Sequence, residues 1–369
     1  MKAIIVAGAI ANKPQNGGEA WVRLSWARGM QQLGFQTFFI EQITSPSDDA
    51  IAYFKKVTQK FGFSYTAALI DDQGRTIVGI EHLDEVAKAA QLLINISGHF
   101  KVPKLVEKIR RKAYIDIDPG YTQMWHEQDV AKIPPHDFYF TIANNIGKPD
   151  CLIPMAGINW RPILQPVVLE DWPVAPAPKL RRFTTIAAWR GSFGTVHYRN
   201  HTFGQKCHEF RKFIELPKRS PHAFEIALHI HEGDHKDRDA LIEHGWKLAD
   251  PKAVAADPQD FRKYVQQSAA EFSVAQGMYV DTNSGWHSDR TIRYLASGRP
   301  ALVQSTGDIG IPVGEGLIQF KTLDEAIGGA DRLMREYAHH SKAARNLAET
   351  YFDSSKVLGH LLQQVGVKR

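Results

Sequence analysis

At 369 residues, 43% of them hydrophobic and 23% charged, the chain is long enough for two domains with separate cores and is composed like a globular protein, not a disordered or fibrous one. No run approaches the ~20 apolar residues of a membrane-spanning helix, and two cysteines, Cys151 and Cys207, exclude a disulfide framework and point to a reducing compartment, the cytoplasm. A net charge of +5 is a mild excess whose one concentration, Lys104, Lys108, Arg110, Arg111 and Lys112, reads as a solvated helix face and leaves a nucleic-acid partner open.

Met1 opens a short apolar run without a small-residue cleavage site, which predicts a first buried strand over residues 3–9. The loop Gly17-Gly18-Glu19 follows. Val22, Trp26, Met30 and Leu33 then recur at helical spacing until Gly34 stops the helix. Further strands are expected over 35–40, 67–70, 92–96, 113–117 and 138–142, with helices over 84–90 and 102–111 between them. Strands alternating with helices imply parallel pairing in a doubly wound sheet, whose ligands lie at the carboxyl ends of the strands.

Pro154, Pro162, Pro166, Pro173, Pro176 and Pro178 then break any regular element. They place a first domain over 1–165, a linker over 166–180, a second α/β domain over 181–345, and a final helical segment, 346–369, that packs back on the first. The second half repeats the alternation: strands over 183–188 and 224–230, helices over 204–213, 237–244 and 261–265. Residues 278–281 alternate as a strand would, a polar turn runs from Asn283 to Arg290, and a helix ended by Gly298 and Pro300 leads to a strand over 301–303.

The mouth of that helix is a place for an anion. Its first backbone amides have no partner inside the helix and carry the positive end of its dipole. Ser288 is the expected N-cap, and Arg290 the charge partner for a diphosphate that Asp289 alone would repel. The plain alternative is an ordinary βαβ connection.

Two doubly wound halves, a proline-rich hinge and this helix mouth resemble the GT-B fold glycosyltransferases, and particular residues carry the resemblance. Gly17-Gly18 and Gly34 stand where the superfamily has a glycine pair after the first strand and a glycine before the second. Leu295-Ala296-Ser297-Gly298-Arg299-Pro300, then Ala301 to Gln304, then Thr306-Gly307-Asp308-Ile309-Gly310-Ile311-Pro312 match its small-residue helix, Gly-x-Pro turn, strand and glycine-rich loop. The chain departs from it too: many retaining members carry two glutamates eight apart here, and this sequence has Gly285 and Arg293 at those places.

The resemblance implies two Rossmann-like domains facing a cleft, a nucleotide-diphosphate sugar as co-substrate, no metal or other cofactor, and a small-molecule, glycan or macromolecular acceptor. Transfer from such a donor leaves negative charge on the diphosphate and, if the anomeric centre inverts, requires a base for the acceptor proton. Donor-binding candidates are Gly17, Gly18, Trp189, Arg190, Gly191, Ser284, Gly285, Trp286, His287, Ser288, Asp289 and Arg290. Trp286 also reads as a core plug and His287 as a surface residue.

Base candidates are Asp118, which follows Asp116 at a strand end before Pro119-Gly120, then Glu19 beside the glycine pair and His99 after Ser97-Gly98. The loop His229-Ile230-His231-Glu232-Gly233-Asp234-His235 lacks a visible fourth metal ligand and reads as solvated or as touching the donor. A GT-B-like nucleotide-sugar epimerase or a non-catalytic nucleotide-sugar-binding protein would use the same cradle.

Overall fold

The continuous apolar runs of the first half are buried on both faces, as parallel strands covered by helices must be. The structure, a computed structural model, describes residues 2–179 and 181–368; Met1, Leu180 and Arg369, the outer residues of three of the expected segments, lie outside the described residues. The strands are β1 (Ala3–Ala7), β2 (Gln36–Gln42), β3 (Ala67–Ile70), β4 (Thr76–Gly79), β5 (Ala90–Ile96), β6 (Lys112–Asp116), β7 (Phe138–Thr141), β8 (Trp160–Pro162), β9 (Arg182–Ala188), β10 (Val196–Tyr198), β11 (His201–Phe203), β12 (Ala223–His229), β13 (Lys247–Ala249), β14 (Ala270–Ser273), β15 (Ala301–Gln304) and β16 (Leu317–Phe320).

The first sheet runs β4-β3-β2-β1-β5-β6-β7-β8, parallel throughout except for the antiparallel edge strand β4. A second, wholly parallel sheet runs β13-β12-β9-β14-β15-β16, and β10 and β11 form a hairpin beside it. In each sheet the strand order reverses once, between β1 and β5 and between β9 and β14. Those are the crevices where doubly wound sheets bind ligands.

Three expectations are corrected. Residues 278–281 are not a strand: Gly277–Asp281 is a helix, closed by the Thr282 hydroxyl donating to the Met278 carbonyl at 2.6 Å. Four alternating residues are too few to separate the two periods, and Met278 and Tyr279 are drawn into an aromatic cluster with Tyr121. The strand before the helix mouth is β14, whose sequence Ala-Glu-Phe-Ser hides a fully buried Glu271. Finally, only Pro103–Val106 of the basic stretch is helical; Lys108 and Lys112 pair with Asp84 and Asp137.

The two lobes meet closely. The Trp21 indole donates to the Pro258 carbonyl at 2.7 Å, and Lys56 and Lys60 pair with Asp257 at 2.9 and 2.8 Å. On the opposite rim Lys148 reaches Asp308 at 3.1 Å. The chain crosses between the lobes twice, and the crossings are bonded to each other: the Val167 amide donates to the Phe352 carbonyl at 2.8 Å and the Ser354 amide to the Val167 carbonyl at 2.9 Å. The last helix, Ser354–Gln364, then lies on the first, Gly17–Gln32, at Gly29, where an added Cβ would stand 2.5 Å from Leu358. Among the described residues no helix is long and apolar enough to cross a membrane.

Candidate active site

The two reversal points face each other across a cavity of about 480 Å3. The loop after β1 is held by the buried Glu41 carboxylate, which accepts from the amides of Ile10, Ala11 and Asn12 at 2.7, 2.7 and 2.8 Å. That brings Gly18, Glu19 and Val22 to one wall; the loops after β9 and β14 bring Gly191, Ser192 and Gln276 to the other.

On the second wall the Ser288 hydroxyl accepts from the Arg290 amide at 3.2 Å, capping the Asp289–Ala296 helix and opening its first turn to the cavity. Asp289 and Arg290 both line it. Arg290 is less free than its sequence position suggests. Its guanidinium donates to Glu271 at 2.7 Å, to the Ile186 carbonyl at 2.8 Å and to the Ser273 hydroxyl at 2.8 Å.

A cation absent from the sequence reading stands nearby. Lys206 lines the cavity at the first position of the Lys206–Arg211 helix and forms no ion pair among the described residues. Burial, reinforced by Arg290, brings its pKa down to about 7. The signal in the sequence was a lysine at the positive end of a helix, where the dipole disfavours it.

Several donor-binding candidates lie elsewhere. Trp189 is a core residue, its indole bonded to Asp237 at 2.8 Å, and Arg190 is exposed, its Nε 2.9 Å from Asp234. Of that trio only Gly191 reaches the cavity. Gly17 is where the other lobe touches: an added Cβ would come within 2.5 Å of the Asp257 carbonyl oxygen. The Ser284 hydroxyl is buried against the Tyr279 carbonyl at 2.9 Å, and Trp286 stacks on Tyr279 with ring centroids 4.3 Å apart.

His287 is not a surface residue. It is buried 5.2 Å from the Phe352 ring with neither nitrogen bonded, and burial drives its pKa down to about 4. The absent glutamates also gain a reason. Gly285 has φ +69°, and a Cβ there would meet the Asp308 carbonyl at 2.4 Å, while Arg293 is buried behind the cavity wall, bonded to Asp289 at 3.0 Å.

The three base candidates follow the ends of β1, β5 and β6; Glu19 lines the cavity, while Asp118 and His99 stand off its wall, close enough to feel the Glu19 charge. Asp116 is fully committed, accepting from Thr122, Gln123 and Thr141 at 2.8, 2.7 and 2.7 Å. Asp118 is half-buried, and burial, with the charges of Asp116 and Glu19, pushes it up to about 6. For Glu19 burial acts upward, but Arg23 and Lys13, the latter 3.2 Å away, outweigh it and hold its carboxyl below the usual range. Burial and then Arg23 and Lys13 take His99 down to about 4. Of the histidine-rich loop only His229 reaches the cavity; the His231 ring caps the Gly233 amide at 3.0 Å.

No protein-family signature and no curated protein matches the sequence. Solved structures align along nearly its whole length. Anabaena HepE, solved with UDP and glucose, superposes with a TM-score of 0.61 at 10% identity over 99% of this chain and 100% of its own. Sucrose-phosphate synthase of Thermosynechococcus elongatus gives 0.58 at 10% over 99% of both chains. S. aureus TarM, in a mutant form solved with fondaparinux, α-GlcNAc-glycerol and UDP, gives 0.58 at 9% over 98% of this chain and 99% of its own. With two Rossmann-like sheets meeting at their reversal points and these structural counterparts, the chain has the GT-B fold.

Proposed function

We propose that the protein is a glycosyltransferase that moves a sugar from a nucleoside-diphosphate sugar, a uridine diphosphate sugar first among them, to an acceptor hydroxyl in the cleft. The observation that carries this reading is the pairing of walls in one cavity. One wall offers an open helix mouth with Lys206 and Arg290, suited to the charge that develops on a departing diphosphate. Beside the other stands Asp118, a carboxyl at about 6, able to take the acceptor proton near neutral pH. HepE structures hold UDP and UDP-glucose, which makes glucose the first sugar to try.

Because lysine, arginine and amides meet the diphosphate charge, the reading needs no metal, and chelation leaves turnover unchanged. A panel of nucleotide sugars tests it by thermal shift, since a donor bound only by the folded state raises the melting temperature. Lys206→Met loses the shift, whereas Asp118→Asn keeps it and loses turnover by roughly 10²- to 10⁴-fold. An unchanged shift in the first variant removes Lys206 from the donor site. Full turnover in the second removes Asp118 as the base.

A further inference from the structure

Between β9 and the helix that opens with Lys206, the chain leaves the cavity wall at Ser192 and returns to it at Lys206. The excursion is a strap. In it β10 and β11 pair antiparallel, Val196 opposite Phe203 and Tyr198 opposite His201, and the Gln205 side chain donates to the Phe193 carbonyl at 3.4 Å across the base. A two-stranded ribbon this short has no independent stability in water, so its shape depends on what it packs against.

Much of that support comes from the other lobe. The Tyr198 hydroxyl donates to Glu127, the Gln128 side chain donates to the His197 carbonyl at 2.8 Å, and the Phe193 ring lies 4.8 Å from Tyr121 and 5.0 Å from Trp125. Val196, Tyr198 and Phe203 are buried in one cluster with Tyr121 and Met124 of the first lobe and Met278 of the second. The first-lobe helix Tyr121–Glu127 is thus grasped at both ends, since the Tyr121 hydroxyl donates to Gln276 at 3.0 Å. Parting the lobes breaks these contacts together and strips the strap of half its apolar cover.

We propose that the strap of residues 193–205 is ordered by the first-lobe helix Tyr121–Glu127 and, by its order, sets Lys206 in the cavity, so that the anion-binding wall of the second lobe is complete only when the lobes are shut. Transmission is short, because only Gly204 and Gln205 separate the buried Phe203 from Lys206. Glu127 and Gln128 are then positioning residues, acting through the strap. The part played by Lys206 rests on the nucleotide-sugar reading above; the dependence of the strap on the first lobe does not.

Hydrogen exchange of the full chain, read by mass spectrometry over residues 193–205, tests it. Glu127→Ala and Gln128→Ala alter exposed first-lobe side chains, so the fold survives both. Each speeds exchange in the strap by roughly tenfold, the order of one hydrogen bond lost, while β12 in the same lobe as the strap is unchanged. Wild-type exchange of the strap in both variants overturns the proposal. Saturating UDP slows the strap further in wild type, because a ligand that prefers the ordered strap stabilises it, and that slowing is lost in Lys206→Met. Equal slowing in Lys206→Met, or none in a wild type that binds UDP, overturns the delivery of Lys206 and leaves the glycosyltransferase reading standing. A wild type that binds no UDP overturns that reading and the role of Lys206 with it, while the two first-lobe variants still decide what orders the strap.

Discussion

His287 shows how much one buried side chain can set. Its ring has no hydrogen-bond partner among the described residues, and burial alone holds its pKa at about 4, against ~6.5 in an unfolded chain. Between those values the unfolded chain takes up a proton that the folded one refuses. This part of the stability is therefore complete above pH ~6.5 and is lost as the pH falls toward 4, about 2 kcal/mol of it by pH 5. In urea unfolding at pH 7.5 and pH 5, His287→Leu loses less stability between the two than wild type does. An equal loss in both would assign the acid sensitivity elsewhere. Nothing in Trp286-His287-Ser288 distinguished the inward histidine from an outward one, because in a loop no periodicity says which way a ring points.

At the scale of elements, β14 and the Asp289–Ala296 helix are tied by the Glu271–Arg290 pair, with Glu271 fully buried and Arg290 bonded to three groups. Arg290→Ala strands a carboxylate in the core and costs roughly 3–5 kcal/mol of stability, whether or not donor binds. Arg290→Met with Glu271→Gln recovers most of that loss in denaturant unfolding; no recovery would mean the pair is not what holds strand to helix. The same pair explains what could be read in advance. β3 and the runs around β1 and β15 were legible because they are uninterrupted apolar segments between helical patterns, and β5 and β9 because Asn95 and the β-branched Thr184-Thr185 are the few polar breaks in theirs. β14 was not, since its buried charge looks like a surface residue until its partner, nineteen positions away, is known to face it. The helix mouth at Ser288 was legible from its cap; Lys206 was not, since only tertiary closure carries its short helix to the cavity.

For the molecule as a whole, the proposed base and the proposed diphosphate cation titrate in opposite directions. In the transfer proposed above Asp118 has to lose its proton, near pH 6, and Lys206 has to keep its own, which it sheds near pH 7. The expected kcat/KM is bell-shaped, with an acid limb from Asp118 and an alkaline limb from Lys206. Bound diphosphate stabilises the ammonium, so the alkaline limb moves upward in kcat, while Lys206→Met abolishes it in kcat/KM. An alkaline limb at the same pH in that variant would exclude the lysine. The bonded crossings near Val167 and Phe352 give this assembly its mechanical character. A single tether would let the lobes wander and twist. Two tethers stitched side by side behave as a door hinge, restricting the lobes chiefly to swinging about one axis, so that each closure returns the same atoms to the same register.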